Sequence, residues 1–292
     1  MKIKTTAQRT PRSWIVLDVE SAVLDDTAHK RYQAMERWVP SDDKPIRRGY
    51  QRSEDPLTCP RWPFQTITTA AIMVLVEDRQ GGMDVSRFVT LSAPEHDERK
   101  VLAGILQVLG ESPADAELTT WAGLAHDVPI ITAGLMRHGL TLPPAWKWMA
   151  FGSFHRERHI DLCRNMTAGM KMKPIHMAEV AAAMDIPAKI TAPPFAVTSI
   201  IYAGRWDEVQ ECCEGDVITT ALLLARWYTT LDPRAPADAV EDRILRRVIE
   251  LREGRGYIAA LEAHRQVRFA SKFEKAANDA TILAPWLDRD AA

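Results

Sequence analysis

The sequence predicts an α/β fold in which a mixed central sheet is flanked by helices. Three observations carry this expectation. Trp14-Ile15-Val16-Leu17-Asp18-Val19-Glu20 is an apolar run of strand length that ends in two carboxylates, the pattern of a strand buried on both faces. Two more strand-like segments precede the first long amphipathic stretch. From there, short strand signals alternate with helical ones, as in sheets covered by crossover helices. A chain of 292 residues is long enough to bury a sizeable core.

Taken in order, residues 1–12 read as a tail and 13–19 as the first strand. Residues 21–63 are polar and charged, with a short helix over 27–38 followed by a loop rich in Pro, Asp and Arg. Residues 66–76 form the second strand, closed by Gly81-Gly82, and the alternating segment 86–91 is a third strand antiparallel to it. Over 95–109, Val101, Leu102, Ile105, Leu106 and Leu109 share one helical face, and the helix stops at Gly110. A strand at 117–121, a helix at 129–138 capped by Gly139, a short strand at 160–162 and helices at 176–184 and 207–231 complete the series. Three strands, helix, strand, helix, short strand and helices is the order of ribonuclease-H-like domains. Pro233-Arg234-Ala235-Pro236 then interrupts the chain, and 239–277 is helical and charged. The expected organisation is a tail at 1–12, a ribonuclease-H-like domain at 13–232 and a helical C-terminal extension at 233–292. The extension offers helices to an oligomer or a protein partner.

A formal net charge of −2 excludes an overall basic field but not a local basic groove. The four cysteines, Cys59, Cys163, Cys212 and Cys213, form no C-x-x-C pair, and two are adjacent. This usage suits a reducing cytoplasm. The N-terminal stretch has no apolar run of signal-peptide type, and no segment approaches 18 apolar residues. The expectation is a cytoplasmic protein with no membrane partner.

Residues two apart on a strand point to one face, their Cβ atoms about 7 Å apart. Asp18 and Glu20 therefore project together, and they repel unless a cation lies between them. Oxygen-only ligands favour Mg²⁺ or Mn²⁺, while a Glu20 solvated beyond the strand end fits the same spacing. Asp127 follows a strand and a glycine-bearing loop in Thr120-Trp121-Ala122-Gly123-Leu124-Ala125-His126-Asp127-Val128-Pro129. On its own it reads as the N-cap of a proline-led helix. Asp216, in Glu211-Cys212-Cys213-Glu214-Gly215-Asp216-Val217, lies where a long helix turns apolar. Gly215 beside it costs a helix interior roughly 1 kcal/mol against alanine, and a close approach by a ligand would account for it.

The ordered set D-x-E on the first strand, Asp after the fourth, and Asp on a late helix resembles the DEDD superfamily of 3′–5′ exonucleases. More closely, the chain resembles the predicted exonucleases related to the proofreading domain of family B DNA polymerases. The likeness spans about residues 13–231 and rests on WIVLDVE, WPFQTITTAAIMV, TTWAGLAHDVPIITAGLMRHGL, RHIDL and ECCEGDVITTALLL. It implies metal ligands at Asp18, Glu20, Asp127 and Asp216, two Mg²⁺ or Mn²⁺ ions, and hydrolysis of phosphodiester bonds at a nucleic-acid 3′ end, most naturally of a single strand. The superfamily places a Tyr four residues before its last Asp, or a His five before. Here these positions hold Cys212 and Glu211, and His126-Asp127 replaces the usual Phe-Asp. A short thiol is a weak donor, so Glu211 and His126 are the candidate substitutes for orienting water. The alternative is a catalytically weakened nucleic-acid-binding protein on the same fold.

Aromatic residues interleave with cations over 146–158, and this mixture suits stacking on bases beside phosphates. Trp146, Lys147, Trp148, Arg156 and Arg158 are the candidate substrate contacts, with core packing as the rival reading. Asp161 is expected to support the metal site from behind its ligands, or to close a turn.

Overall fold

The apolar run becomes β1 (Ser13–Ala22), the middle strand of a five-stranded sheet. This computed structural model describes residues 11–37, 62–78, 81–155, 158–173, 175–188, 190–232 and 237–283. On one side β1 pairs antiparallel with β2 (Thr66–Glu77), which pairs antiparallel with β3 (Met83–Ser92). On the other, β1 runs parallel to β4 (Glu117–Thr120), and β4 parallel to β5 (His159–Asp161). The order β3-β2-β1-β4-β5 is ribonuclease-H-like. The third strand is longer than its alternation suggests. Val74 faces Arg87 and Leu75 faces Val85, so Ser86 is skipped and the side-chain phase flips there.

Helices follow in the order α1 (Thr27–Arg37), α2 (Glu98–Glu111), α3 (Asp127–His138), α4 (Leu162–Met166), α5 (Met177–Ala183), α6 (Pro194–Tyr202), α7 (Trp206–Thr229), α8 (Ala237–Leu251) and α9 (Ile258–Leu283). A long 3₁₀ segment occupies Pro144–His155. Asp97 starts α2 by accepting from Lys100 N at 2.8 Å, and Gly139 ends α3 in the left-handed region at φ 61°. The α6 helix is an addition to the expected set. Pro194 sits at its start, where a missing N–H is harmless. The single charged run at 239–277 is two helices, because the chain reverses around Gly254 at φ 88°.

Strand alternation divides the core. Ile15, Leu17 and Val19 pack with α2 and α3 residues such as Val101, Leu102 and Ile131. Trp14 and Val16 join α7 residues Val217, Ala221 and Leu224 on the opposite face. Val240, Ile244, Leu245 and Val248 of α8, with Tyr257 and Leu261, are buried in that same cluster. The boundary expected at 233–236 lies outside the described residues, as do residues 1–10 of the expected tail. Among the described residues no helix is long and apolar enough to cross a membrane.

Candidate active site

Pairing of β1 with β4 runs from Trp14↔Glu117 to Val16↔Thr119, and β1 continues past it with Asp18 and Glu20. Both continue the Trp14–Val16 row, so both face α7. That helix brings Asp216 to them: carboxylate oxygens of Asp18, Glu20 and Asp216 lie within 4.8 Å of one another. Asp127 stands outside this tight trio but borders the same cleft, about 510 Å³ in volume, together with His126, His176 and Cys212. It is the first residue of α3, not its cap; His126 holds the cap position and makes no side-chain cap bond. The buried Asp127 carboxylate instead accepts from its own N–H and from that of Val19, between the two β1 acids.

The electrostatics are those of crowded like charges. Burial raises the Asp18 pKa well above the usual carboxylate range, and Asp127, Glu20 and Asp216 push it the same way. Asp127 is raised to about 7, chiefly by burial, then by Asp161 and Asp216, against the two N–H donors. Burial lowers the His126 pKa, which favours the neutral imidazole. Such a cluster is relieved either by protons or by cations, and its oxygen donors suit hard divalent ions.

Two supporting residues deserve equal weight in the geometry. Asp161 is buried at the end of β5, and its carboxylate accepts from Ala122 N (3.1 Å), Leu124 N (3.0 Å) and Arg164 N (3.0 Å). It thereby wraps the loop before Asp127, including the left-handed Ala122 at φ 58°. Cys213 was not singled out in the sequence. Its thiol lies 3.4 Å from Asp18 Oδ2 and 3.3 Å from Asp18 O, as a donor behind the cluster. Its i,i+3 relation to Asp216 was the available signal.

The remaining candidates are placed differently. Cys212 borders the cleft, yet it is buried beside Ala22, Val197 and Val209, with Sγ 4.0 Å from Ala192 O. Glu211 turns away to accept from Gly256 N at 2.6 Å and is not among the cleft residues. Trp146 and Trp148 are buried in the α2–α3 core, and the Trp146 indole donates to Leu109 O. Arg158 stacks over both rings, 5.2 and 5.7 Å from their centroids, and donates to Ala145 O and Ala116 O. It precedes β5, whereas the acids gather where β1 and β5 end, three residues or about 10 Å along the strand. Trp146, Trp148 and Arg158 are thus a core stack. Lys147 is exposed beside it, and Arg156 lies outside the described residues. Gly215 is not held open by a close approach: an added Cβ would meet Ile190 and Thr191 at 3.6 Å, an ordinary contact.

A mixed sheet with acids gathered toward the end of β1, closed by the long α7 helix, defines a nuclease-like site of the ribonuclease-H class. A family described as predicted 3′–5′ exonucleases related to the exonuclease domain of PolB matches residues 60–259, and the chain belongs to it. The match includes Asp127 and Asp216 and begins after Asp18 and Glu20. No curated protein matches the chain. Among solved structures, the family B DNA polymerase of the hyperthermophilic archaeon Pyrobaculum calidifontis is 14% identical, with TM-score 0.45 over 82% of this chain and 29% of that one. A product-bound exonuclease I is 11% identical, with TM-score 0.41 over 76% of this chain and 44% of that one. E. coli exonuclease I in complex with a dT13 oligonucleotide is also 11% identical, with TM-score 0.41 over 76% and 42%. The chain spans less than half of each.

Proposed function

We propose that this chain is a divalent-metal-dependent 3′–5′ exonuclease that shortens single-stranded nucleic acid from its 3′ end. The convergence of Asp18, Glu20 and Asp216 within 4.8 Å carries the reading. These three, with Asp127 on the same cleft, would hold Mg²⁺ or Mn²⁺; the donor set is oxygen-only and its crowding opposes ionisation without a cation. Bound there, a pair of divalent ions would supply a nucleophile at neutral pH and charge neutralisation at the departing 3′ oxygen. Asp161 keeps the loop before Asp127 in shape, and Cys213 orients Asp18. With Glu211 engaged by Gly256, His126, which adjoins Asp127 on the cleft, is suited to orient water and accept its proton, since burial favours its neutral form.

One observation favours a second reading, a weakened enzyme that chiefly binds nucleic acid. The position where the superfamily has tyrosine holds Cys212, buried in a small apolar cluster with its thiol near Ala192 O, and a short thiol is a weak donor for orienting water.

Incubation of 5′-labelled DNA and RNA oligonucleotides with Mg²⁺ or Mn²⁺ separates the two. The exonuclease reading expects stepwise shortening from the 3′ end, lost at least about a hundredfold in Asp216→Asn, and slowed at least about tenfold in His126→Ala with KM unchanged. Salt-sensitive binding without shortening, equal in Asp216→Asn, supports the second reading and sinks the first.

A further inference from the structure

An unassigned cavity lies at the far end of α7. It has a volume of about 670 Å³ and is lined by Arg164, Asn165, Ala168, Gly169, Lys171 and Trp227. The chain carries no acid between Asp161 and Glu179, while Arg164, Lys171 and Lys173 are all basic. Among the described residues neither Arg164 nor Lys171 enters a salt bridge, whereas Arg226, Arg243, Arg252, Arg255, Arg265 and Arg268 all do. These two cations are thus left for an anion from outside. Trp227 supplies a half-buried aromatic wall, and Met170 and Met172 stand exposed at the rim. The loop between them runs through three successive left-handed residues, Ala168, Gly169 and Met170, at φ 53°, 75° and 69°; such backbone outliers gather at ligand-binding segments.

Both walls of this pocket belong to segments that also border the acid cluster. Five residues between 164 and 171 line the pocket, and Ile175, His176, Met177 and Ala178 line the cleft. On α7, Asp216 and Trp227 are eleven residues apart, about three helical turns, and so about 16 Å apart along the axis. The helix face between them is closed, with Thr220 and Leu223 buried and Thr220 against Met177, so a strand joining the two sites passes around it. At about 3.4 Å per stacked nucleotide, the direct separation sets a minimum of about five nucleotides. We propose that the Arg164–Lys171–Trp227 pocket holds a single-stranded polynucleotide at least about five nucleotides upstream of the end at the acid cluster, through its phosphates and one stacked base. This rests on the exonuclease reading and adds a second anchor to it.

The test compares wild type with the Arg164→Gln/Lys171→Gln double variant on two probes. The p-nitrophenyl ester of thymidine 5′-phosphate fills the cleft alone, and 5′-fluorescein-labelled dT12 and U12 reach the pocket. The expected result is ester hydrolysis within twofold of wild type, which also shows that the variant folds. For the dodecamer that wild type degrades, KM rises at least about tenfold, and in fluorescence anisotropy the slope of log affinity against log salt falls by about 1.4, about 0.7 for each lost phosphate contact. A trimer, dT3, shows no difference. Dodecamer KM, affinity and salt slope all equal to wild type overturn the pocket. If wild type hydrolyses neither probe, the exonuclease reading fails by itself, and anisotropy still decides the pocket: weaker binding by the variant upholds it, while equal binding, or no binding by wild type, overturns it.

Discussion

Glu214 and Asp216 stand two residues apart on α7, yet the groups around them are of opposite sign. Glu214 is fully buried and accepts from Tyr257 OH (2.7 Å), Thr90 Oγ1 (2.5 Å) and Arg255 (3.0 Å), with the Arg252 guanidinium at 3.5 Å. Asp216 instead meets Asp18 and Glu20. A buried carboxylate that serves the fold is surrounded by donors from the outset. Acids gathered on acids gain from partners that arrive later. The turn between α8 and α9, which supplies Arg252, Arg255 and Tyr257, therefore holds in place the stretch of helix that presents Asp216.

The largest expected effect is the pH dependence of the crowded site. The unfolded chain ionises Asp127 near 3.8, but the folded chain does so at about 7. Between about pH 4 and pH 7 the folded protein keeps a proton that the unfolded chain has released. Stability from this group is thus full below pH 4, falls as pH rises to 7 and then levels off. Roughly three pKa units amount to about 4 kcal/mol, and Asp18 acts in the same direction. Groups with lowered values, such as Glu98 and His159, oppose this slope, so the measurement is the difference between wild type and Asp127→Asn. Urea denaturation from pH 4.5 to 8 in chelator should show the variant gaining relative stability across the window. A flat difference would remove the repulsion from this side of the comparison.

The other side is tested by cutting it. Glu214→Ala leaves two guanidiniums and a phenol without their anion, a loss of about 3 kcal/mol. This is the low end for a buried pair, because Arg252 and Arg255 keep 18% and 22% exposure. In the same metal-free buffer, Asp216→Asn should be neutral or stabilising, since it relieves its neighbours. Denaturation curves for both variants check this; equal losses would mean that the two acids are the same kind of residue after all.

How much of this was legible differs from residue to residue. The β1 acids were readable because strand alternation alone puts Asp18 and Glu20 on one face. The Gly139 cap and the long α7 helix announce themselves through local chemistry. Nothing local marks Glu214 as a buried acid, for its donors come from Thr90 and from residues some forty positions later. Asp161 was expected to support the site or close a turn, and only the fold shows that it does so by holding the loop at 122–124. Trp146, Trp148 and Arg158 show the opposite failure. Cations interleaved with aromatics stack equally well in a core and in a groove, and only burial tells them apart.

The smallest effect concerns Gly215, the residue between the two acids. Glycine there loosens the helix that joins a filled site to a crowded one, at a cost of roughly 1 kcal/mol against alanine. The surroundings do not require it. Its φ is helical, and the atoms an added methyl would touch, on Ile190 and Thr191, lie at 3.6 Å or beyond. Gly215→Ala should therefore raise stability by up to about 1 kcal/mol in thermal denaturation. It should do so equally with Glu214 intact and with Glu214→Ala in the background, since the gain belongs to the backbone. A gain that disappears when Glu214 is removed would show instead that the methyl acts by tightening the link between the two sites, and that the filled one sets the position of the other through this helical step.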